Sequence, residues 1–329
     1  SRIGRWIIGN VRRVKETCPA LAIRQHIRHI VPEITSQNGI SRSEMAGVPY
    51  LKMNGLGNDF VVVDARADGR KFTPDAVRAI TDRVKGVGAD QFIVMDTPTA
   101  PGVDVFMRIY NCDGGEIDAC GNATRCVAAL VAEEMGKRAI MLQTNAGLLS
   151  AEVTDDLVTV DMGKPRFDWD QIPLAEEFAD TTGIELQIGP IDAPILHTPS
   201  AVNVGNPHAI FWVSDVEAYD LGRFGPLLEN HPIFPDRANI ELAQVISPDR
   251  IKVRVWERGA GLTLACGTGA CAVAVAAARK GLANRKVTIE LPGGPLQLDW
   301  RISDDHILMT GPWTLDGEGV LPEEWLKAA

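Results

Sequence analysis

The sequence predicts an α+β fold of two pseudo-symmetric halves, each built from short, mostly antiparallel strands wrapped on one buried helix. Three observations predict it. The chain makes the same object twice, as RIYNCDGGEIDACGNATRCVAALVAEEMG at 108–136 and as RVWERGAGLTLACGTGACAVAVAAARKG at 254–281. The offset is 146 residues at Arg108/Arg254, Asn111/Glu257 and Cys120/Cys266 alike, with no gap. Residues 270–278, ACAVAVAAA, are apolar on every side, so that helix has no solvent face and belongs inside. Its alanines favour helix and let strands approach closely. Finally, strands adjacent in sequence are joined by tight turns, which favours antiparallel pairing over a βαβ array.

Taken in order, residues 1–44 stand apart. Basic residues outnumber acidic ones there, and no secretory h-region is present. They are expected to be a dispensable extension, because Met45 sits just ahead of the first strong strand pattern. The first half is placed at 45–164, with 312–325 as a candidate completion. In it, MNGLGNDF (53–60) is a glycine turn running into a strand, and Pro74 opens a helix ending near Val84. GVGADQFIVM (86–95) reads as turn and strand, and 103–110 alternates like a strand. The Cys120 turn and helix follow, with Gly136 fitting a residue beyond a C-cap. Two strands around Asn145-Ala146-Gly147 make a hairpin, and 157–162 is one more strand. A looser stretch rich in Pro and acidic residues, 166–199, separates the halves.

The second half, 165–311, replays the first. VGNPHAIFWV (204–213) echoes LGNDFVVVD (56–64), with Asn206 matching Asn58. Strands are expected at 238–246 and 251–256, a second hairpin at 287–300 and a late strand at 307–311.

Composition narrows the function. A chain of 329 residues with formal charge −10 and no basic stripe is a poor partner for nucleic acid or an anionic membrane surface. No apolar run approaches the ~20 residues of a membrane span. The 6 cysteines are too sparse for a disulfide scaffold and form no CxxC pair, so free thiols in a reducing cytoplasm are expected. Cys18, Cys112, Cys126 and Cys271 read as small hydrophobes.

Cys120 and Cys266 differ, because both occupy the same slot of the repeat, just before a helix. A helix N-terminus leaves N–H groups unpaired and carries partial positive charge. A cysteine there is expected to have a lowered thiol pKa, and the same amides bind a carboxylate. Two such ends facing one substrate carboxylate would set a sulfur on either side of the attached carbon. One thiolate takes the α-proton and the opposite thiol returns one, with neither cofactor nor metal required. The carboxylate clamp stabilises the charge that develops. From spacing alone, catalysis and a shared structural turn remain equally open.

NCDGGEIDACGNATR (111–125) and ERGAGLTLACGTGACA (257–272) resemble the two cysteine signatures of the diaminopimelate epimerase family, and MNGLGNDF, GNPH and NIE resemble further motifs of it in the right order. The resemblance covers about residues 49–325. It implies pyridoxal-phosphate-independent interconversion of LL- and meso-diaminopimelate in lysine and peptidoglycan synthesis. It also implies two barrel-like domains with the site between them, and a homodimer. By this resemblance Cys120 and Cys266 are the acid/base pair, and Gly121, Asn122, Gly267 and Thr268 offer helix N-terminal groups to the carboxylate. Glu257 and Arg258 match the substrate-binding Glu-Arg, Glu257 also counting with the catalytic groups. Asn111, Asn206 and Asn239 match asparagines that read the distal amino-acid end. Asn58 and Gln91 match further binding positions, and His208, also counted with the catalytic groups, matches a histidine near the catalytic centre. Read without the resemblance, each Asn is a turn residue, His208 a satisfied packing histidine and Glu257 a surface ion-pair partner. The sequence departs from the common pattern at Gly115, Ala123 and Leu262, and Ala123 must serve without positive φ.

Two other readings compete. A proline or hydroxyproline racemase of the same architecture would have no second amino-acid end for the asparagines and Glu-Arg to read. A thiol redox or anion-binding protein would want a resolving cysteine at CxxC spacing, which neither thiol has.

Overall fold

The computed structural model describes residues 47–326, so the expectation for the extension at 1–44 lies outside the described residues. The described chain divides into two units. The first takes 47–55, Asp59–Asp156 and 313–326, and the second takes Leu56–Asn58 and Leu157–Pro312. Both are mostly sheet with few helices.

The first unit contains β1 (Val48–Gly55), β2 (Asn58–Asp64), β3 (Gln91–Asp96), β4 (Val105–Asn111), β5 (Glu116–Ile117), β6 (Ala139–Thr144) and β7 (Gly147–Thr154). The late strand Thr314–Leu321 pairs antiparallel with β1. Helix α1 (Pro74–Thr81) starts with Thr73 accepting the Ala76 N–H at its N-cap and proline in its first turn. It stops at Thr81 rather than near Val84, because the Asp82 carboxylate accepts the N–H groups of Val84 and Lys85 and turns the chain. Helix α2 (Gly121–Met135) is buried continuously from Asn122 to Ala132 and ends on Gly136 in the left-handed conformation. It packs against β1, β4, β6 and β7.

The second unit contains β8 (Leu157–Asp161), a small ribbon of β9 (Gln187–Ile188) and β10 (Leu196–His197), then β11 (Ser200–Asn203) and β12 (Pro207–Trp212). After helix α3 (Leu221–Glu229) come β13 (Asn239–Ser247), β14 (Arg250–Glu257), β15 (Gly261–Thr263), helix α4 (Gly267–Arg279), β16 (Lys286–Leu291), β17 (Gly294–Trp300) and β18 (Ile307–Pro312). Helix α4 is buried from Gly269 to Ala277, as its uniformly apolar sequence requires. It packs against β11, β12, β13, β16, β17 and β18.

The internal repeat is a repeat of register. Ile109 lies opposite Ile117 in β4–β5, and Val255 opposite Thr263 in β14–β15. Phe60 lies beside Gln91 in the parallel pair β2–β3, and His208 beside Asn239 in β12–β13. Each unit is mainly antiparallel, with parallel pairs at two equivalent places, β2–β3 and β4–β6 in one and β12–β13 and β14–β16 in the other.

The structure corrects the unit boundaries. The break expected at 164/165 falls at 156/157, because β8 pairs antiparallel with β18, Leu157 opposite Pro312. The turn Leu56–Asn58 also counts with the second unit. There Gly293 approaches the Leu56 carbonyl so closely that a Cβ would lie 1.9 Å from its oxygen. The Gly- and Pro-containing helix α3 was not expected from the sequence.

Candidate active site

In each unit the cysteine is the N-cap of the buried helix. Cys120 is extended (φ −149°, ψ 109°), half-buried, and its side chain makes no cap hydrogen bond. Its carbonyl accepts both the N–H and the hydroxyl of Thr124, each at 2.9 Å. Cys266 is also extended (φ −123°, ψ 111°) but only 4% exposed. Its Sγ accepts the Gly269 N–H at 3.4 Å and lies 3.5 Å from the Thr268 hydroxyl.

The lowered thiol pKa expected from the helix end does not hold for Cys266. Burial pushes that thiol well above the ordinary range, and the nearby charges of Glu257 and Glu241 push the same way. The Thr268 and Gly269 hydrogen bonds oppose this without overcoming it. Desolvation of a thiolate outweighs the partial charge of the helix end. Of the other thiols, Cys126 is pushed up to about 12 by burial and Cys271 is fully buried, as a packing role requires, whereas Cys112 is exposed on the turn after β4, against expectation, and Cys18 lies outside the described residues.

Under α4 lies a polar pair that the first unit lacks. His208 and Glu241 are both fully buried, with Nδ1 2.6 Å from Oε1. The other ring nitrogen of His208 lies 2.7 Å from the Asn206 carbonyl oxygen. Nε2 must therefore donate, and the Nδ1–Glu241 contact needs one hydrogen, on the ring or on the carboxyl. The pair holds that proton jointly, and burial raises the Glu241 pKa against the pull of His208. Glu241 Oε2 is buried without a hydrogen-bond partner among the described residues. By register, the counterparts of His208 and Glu241 are Phe60 and Ile93, both fully buried and apolar. Glu241 also explains Gly269, where a Cβ would lie 3.1 Å from Glu241 Oε1 and 3.3 Å from Cys266 Sγ. The equivalent Ala123 sits inside α2 with ordinary helical φ, so its methyl strains no turn.

The remaining expected residues fall into two sets. In the first unit Gln91 Nε2 donates to Asn111 Oδ1 at 3.0 Å, and Gln91 Oε1 is buried with no hydrogen-bond partner among the described residues. Gly121 and buried Asn122 form the first turn of α2 below Cys120. In the second unit Gly267 and Thr268 open α4. Glu257 is half-buried at the end of β14 and accepts the Thr263 hydroxyl. Arg258 is exposed, its N–H bonded to Asn239 Oδ1 and its Nη1 to the Asp236 carbonyl, both at 2.9 Å. Asn239 is 2% exposed and also donates to the Pro207 carbonyl, so it ties the turn before His208 to the turn at Arg258. Asn58 opens β2 and counts with the second unit. Sequence reasoning passed over Glu241, although it lies within the quoted NIE motif, and Thr263 and Glu229, which carried no signal.

Comparisons with known proteins show the family and the fold. The family model described as diaminopimelate epimerase matches residues 50–168 and 200–315, which include both cysteine-capped helices. A diaminopimelate epimerase of Afipia carboxidovorans is 56% identical over 286 residues, covering 86% of this chain and 98% of that protein. One from Bradyrhizobium sp. (strain BTAi1) is 57% identical over 280 residues, covering 84% and 96%. In fold, the chain is similar to a hydroxyproline epimerase of Agrobacterium vitis, with TM-score 0.60 and 15% identity, covering 85% of this chain and 94% of that one. It is also similar to a PhzF-family phenazine biosynthesis protein of Bacillus anthracis, with TM-score 0.58 and 16% identity, covering 84% and 99%.

Proposed function

The chain belongs to the diaminopimelate epimerase family, and we propose on that premise that it interconverts LL- and meso-diaminopimelate by two-base proton transfer at one α-carbon. The observation that carries the mechanism is the repeat itself. Two units of matching register each cap a buried helix with a cysteine, and the family match spans both.

Cys120 and Cys266 are the two proton carriers, each serving as base in one direction and acid in the other. The N–H groups at Gly121, Asn122, Gly267 and Thr268 receive the reacting carboxylate, and their partial positive charge stabilises the carbanion-like transition state. Resting Cys266 keeps its proton, because burial and the adjacent carboxylates disfavour the thiolate. Glu257, half-buried and held by Thr263, binds the substrate ammonium, and Arg258 binds a carboxylate. Asn111, Asn206 and Asn239 serve the distal amino-acid end, the last two also by fixing the turns around them, and Asn58 and Gln91 are further binding positions. His208 works through its neighbours: with both ring nitrogens engaged it holds Asn206 in place.

The reaction test is conversion of LL- to meso-diaminopimelate by the reduced protein, with the stereoisomers resolved chromatographically and L-proline and trans-4-hydroxy-L-proline run in parallel. Conversion of diaminopimelate alone supports the reading, and conversion of an imino acid in its place overturns it. No helix among the described residues is long and apolar enough to cross a membrane. A cytoplasmic homodimer belongs to the same proposal, with sedimentation of the purified protein as its check.

A further inference from the structure

We propose that Glu229, the last residue of α3, is a positioning residue for the Glu257-Arg258 turn. The inference rests on the reading of Glu257 and Arg258 as substrate-binding groups. Glu229 is 5% exposed, and its carboxylate grips the chain on both sides of that pair. Oε2 accepts the Trp256 indole N–H at 2.7 Å, and Oε1 accepts the Gly259 N–H at 3.0 Å. Oε1 also lies 3.1 Å from Arg237 Nη1, a charge-assisted partner that offsets burial of the carboxylate.

Trp256 is seated by the same helix. A Cβ at Gly225 would lie 2.4 Å from the indole ring, so only glycine lets α3 approach this closely. One helix thus fixes the body of Trp256 with Gly225 and its N–H with Glu229. The carboxylate then reaches past Glu257 and Arg258 to the amide beyond them. Asn239 takes the Arg258 N–H and Thr263 the Glu257 side chain, so the direction in which Glu257 points depends on where Glu229 holds the strand end.

The first unit supports the assignment. Its helix α1, between β2 and β3 as α3 lies between β12 and β13, braces the equivalent turn after Asn111. Arg78 Nη1 donates to the Asp113 carbonyl at 2.7 Å, and Asp113 is the counterpart of Gly259. Thr81 lies 3.4 Å from the Cys112 carbonyl. Both units brace the turn; in the second a single buried carboxylate also secures the strand residue ahead of it.

The test is a double-mutant cycle in kcat/KM on diaminopimelate with Glu229→Gln, Glu257→Gln and both together. The Gln keeps the volume but must turn an N–H2 toward an N–H donor. The expected result is a loss of about tenfold in the wild-type background, equivalent to ~1.4 kcal/mol, and less than about twofold once Glu257 is already Gln. Equal losses in both backgrounds would assign Glu229 a merely structural role, and no loss in the wild-type background would remove it altogether. Either result overturns the inference while the reading of Glu257 survives. A Glu257→Gln protein with wild-type kcat/KM would overturn both. Should Glu229→Gln fail to fold, Trp256→Phe removes only the indole donor. The same cycle then predicts a loss of about threefold that vanishes in the Glu257→Gln background, and a loss independent of Glu257 overturns the inference.

Discussion

The two helix starts share a backbone and differ in what lies around the sulfur. Cys120 is half-buried, and its side chain accepts no cap hydrogen bond. Cys266 is almost fully buried, accepts the Gly269 N–H, and feels the charges of Glu257 and Glu241. Beneath α4 lies the His208–Glu241 pair, where the first unit has Phe60 and Ile93. The repeat supplies two equivalent amide-lined helix ends. The substitutions inside it make the surroundings of the two thiols unequal.

The largest expected effects come from removing either thiol. Cys120→Ala and Cys266→Ala should each lower kcat by about 10²–10⁴-fold, with thermal unfolding unchanged. A single variant with wild-type turnover would break the pairing of the two units. Next, Gly269→Ala places a methyl 3.1 Å from Glu241 Oε1 and 3.3 Å from Cys266 Sγ. It should cost about tenfold or more in kcat, equivalent to ~1.4 kcal/mol in the barrier; full activity would show that the crowding below Cys266 has no role.

A pH titration sharpens the same contrast. A raised pKa means that Cys266 keeps its proton until pH has passed well above the ordinary thiol value of about 8.5. Alkylation of Cys266 followed by mass spectrometry should therefore have its pH midpoint above that value. Glu257→Gln removes a negative charge and should move the midpoint down. A midpoint unmoved by this variant would contradict the role of Glu257 in setting the thiol. The smallest effect is expected at the position equivalent to Gly269. Ala123→Gly should keep activity and lose about 1 kcal/mol of stability, the ordinary cost of glycine in a helix, read by denaturant unfolding.

Much of this comparison is legible in the sequence, because it is periodic. The constant offset between the cysteine units, the apolar run ACAVAVAAA and the glycine beyond α2 fix both buried helices and their starts. What is not legible is what depends on distant chain segments. Strand β8 follows the first hairpin in sequence but finds its partner, β18, in the second unit. Helix α3 carries Gly222, Gly225 and Pro226 within nine residues, a composition that reads as loop, and only the indole of Trp256 accounts for Gly225. The direction of the Cys266 thiol pKa is not legible either, because the helix end is visible in the sequence whereas the burial and the two carboxylates that outweigh it are not.

The most direct test of the two-thiol mechanism is the fate of the α-proton in heavy water. LL-diaminopimelate is incubated with the reduced protein, and the α-positions of substrate and product are followed by mass spectrometry over the first few percent of conversion. Two proton carriers predict that meso product carries solvent deuterium from the first turnovers while recovered LL substrate carries none. Product that keeps the substrate's own proton, or LL substrate that gains deuterium as fast as product forms, would contradict the account.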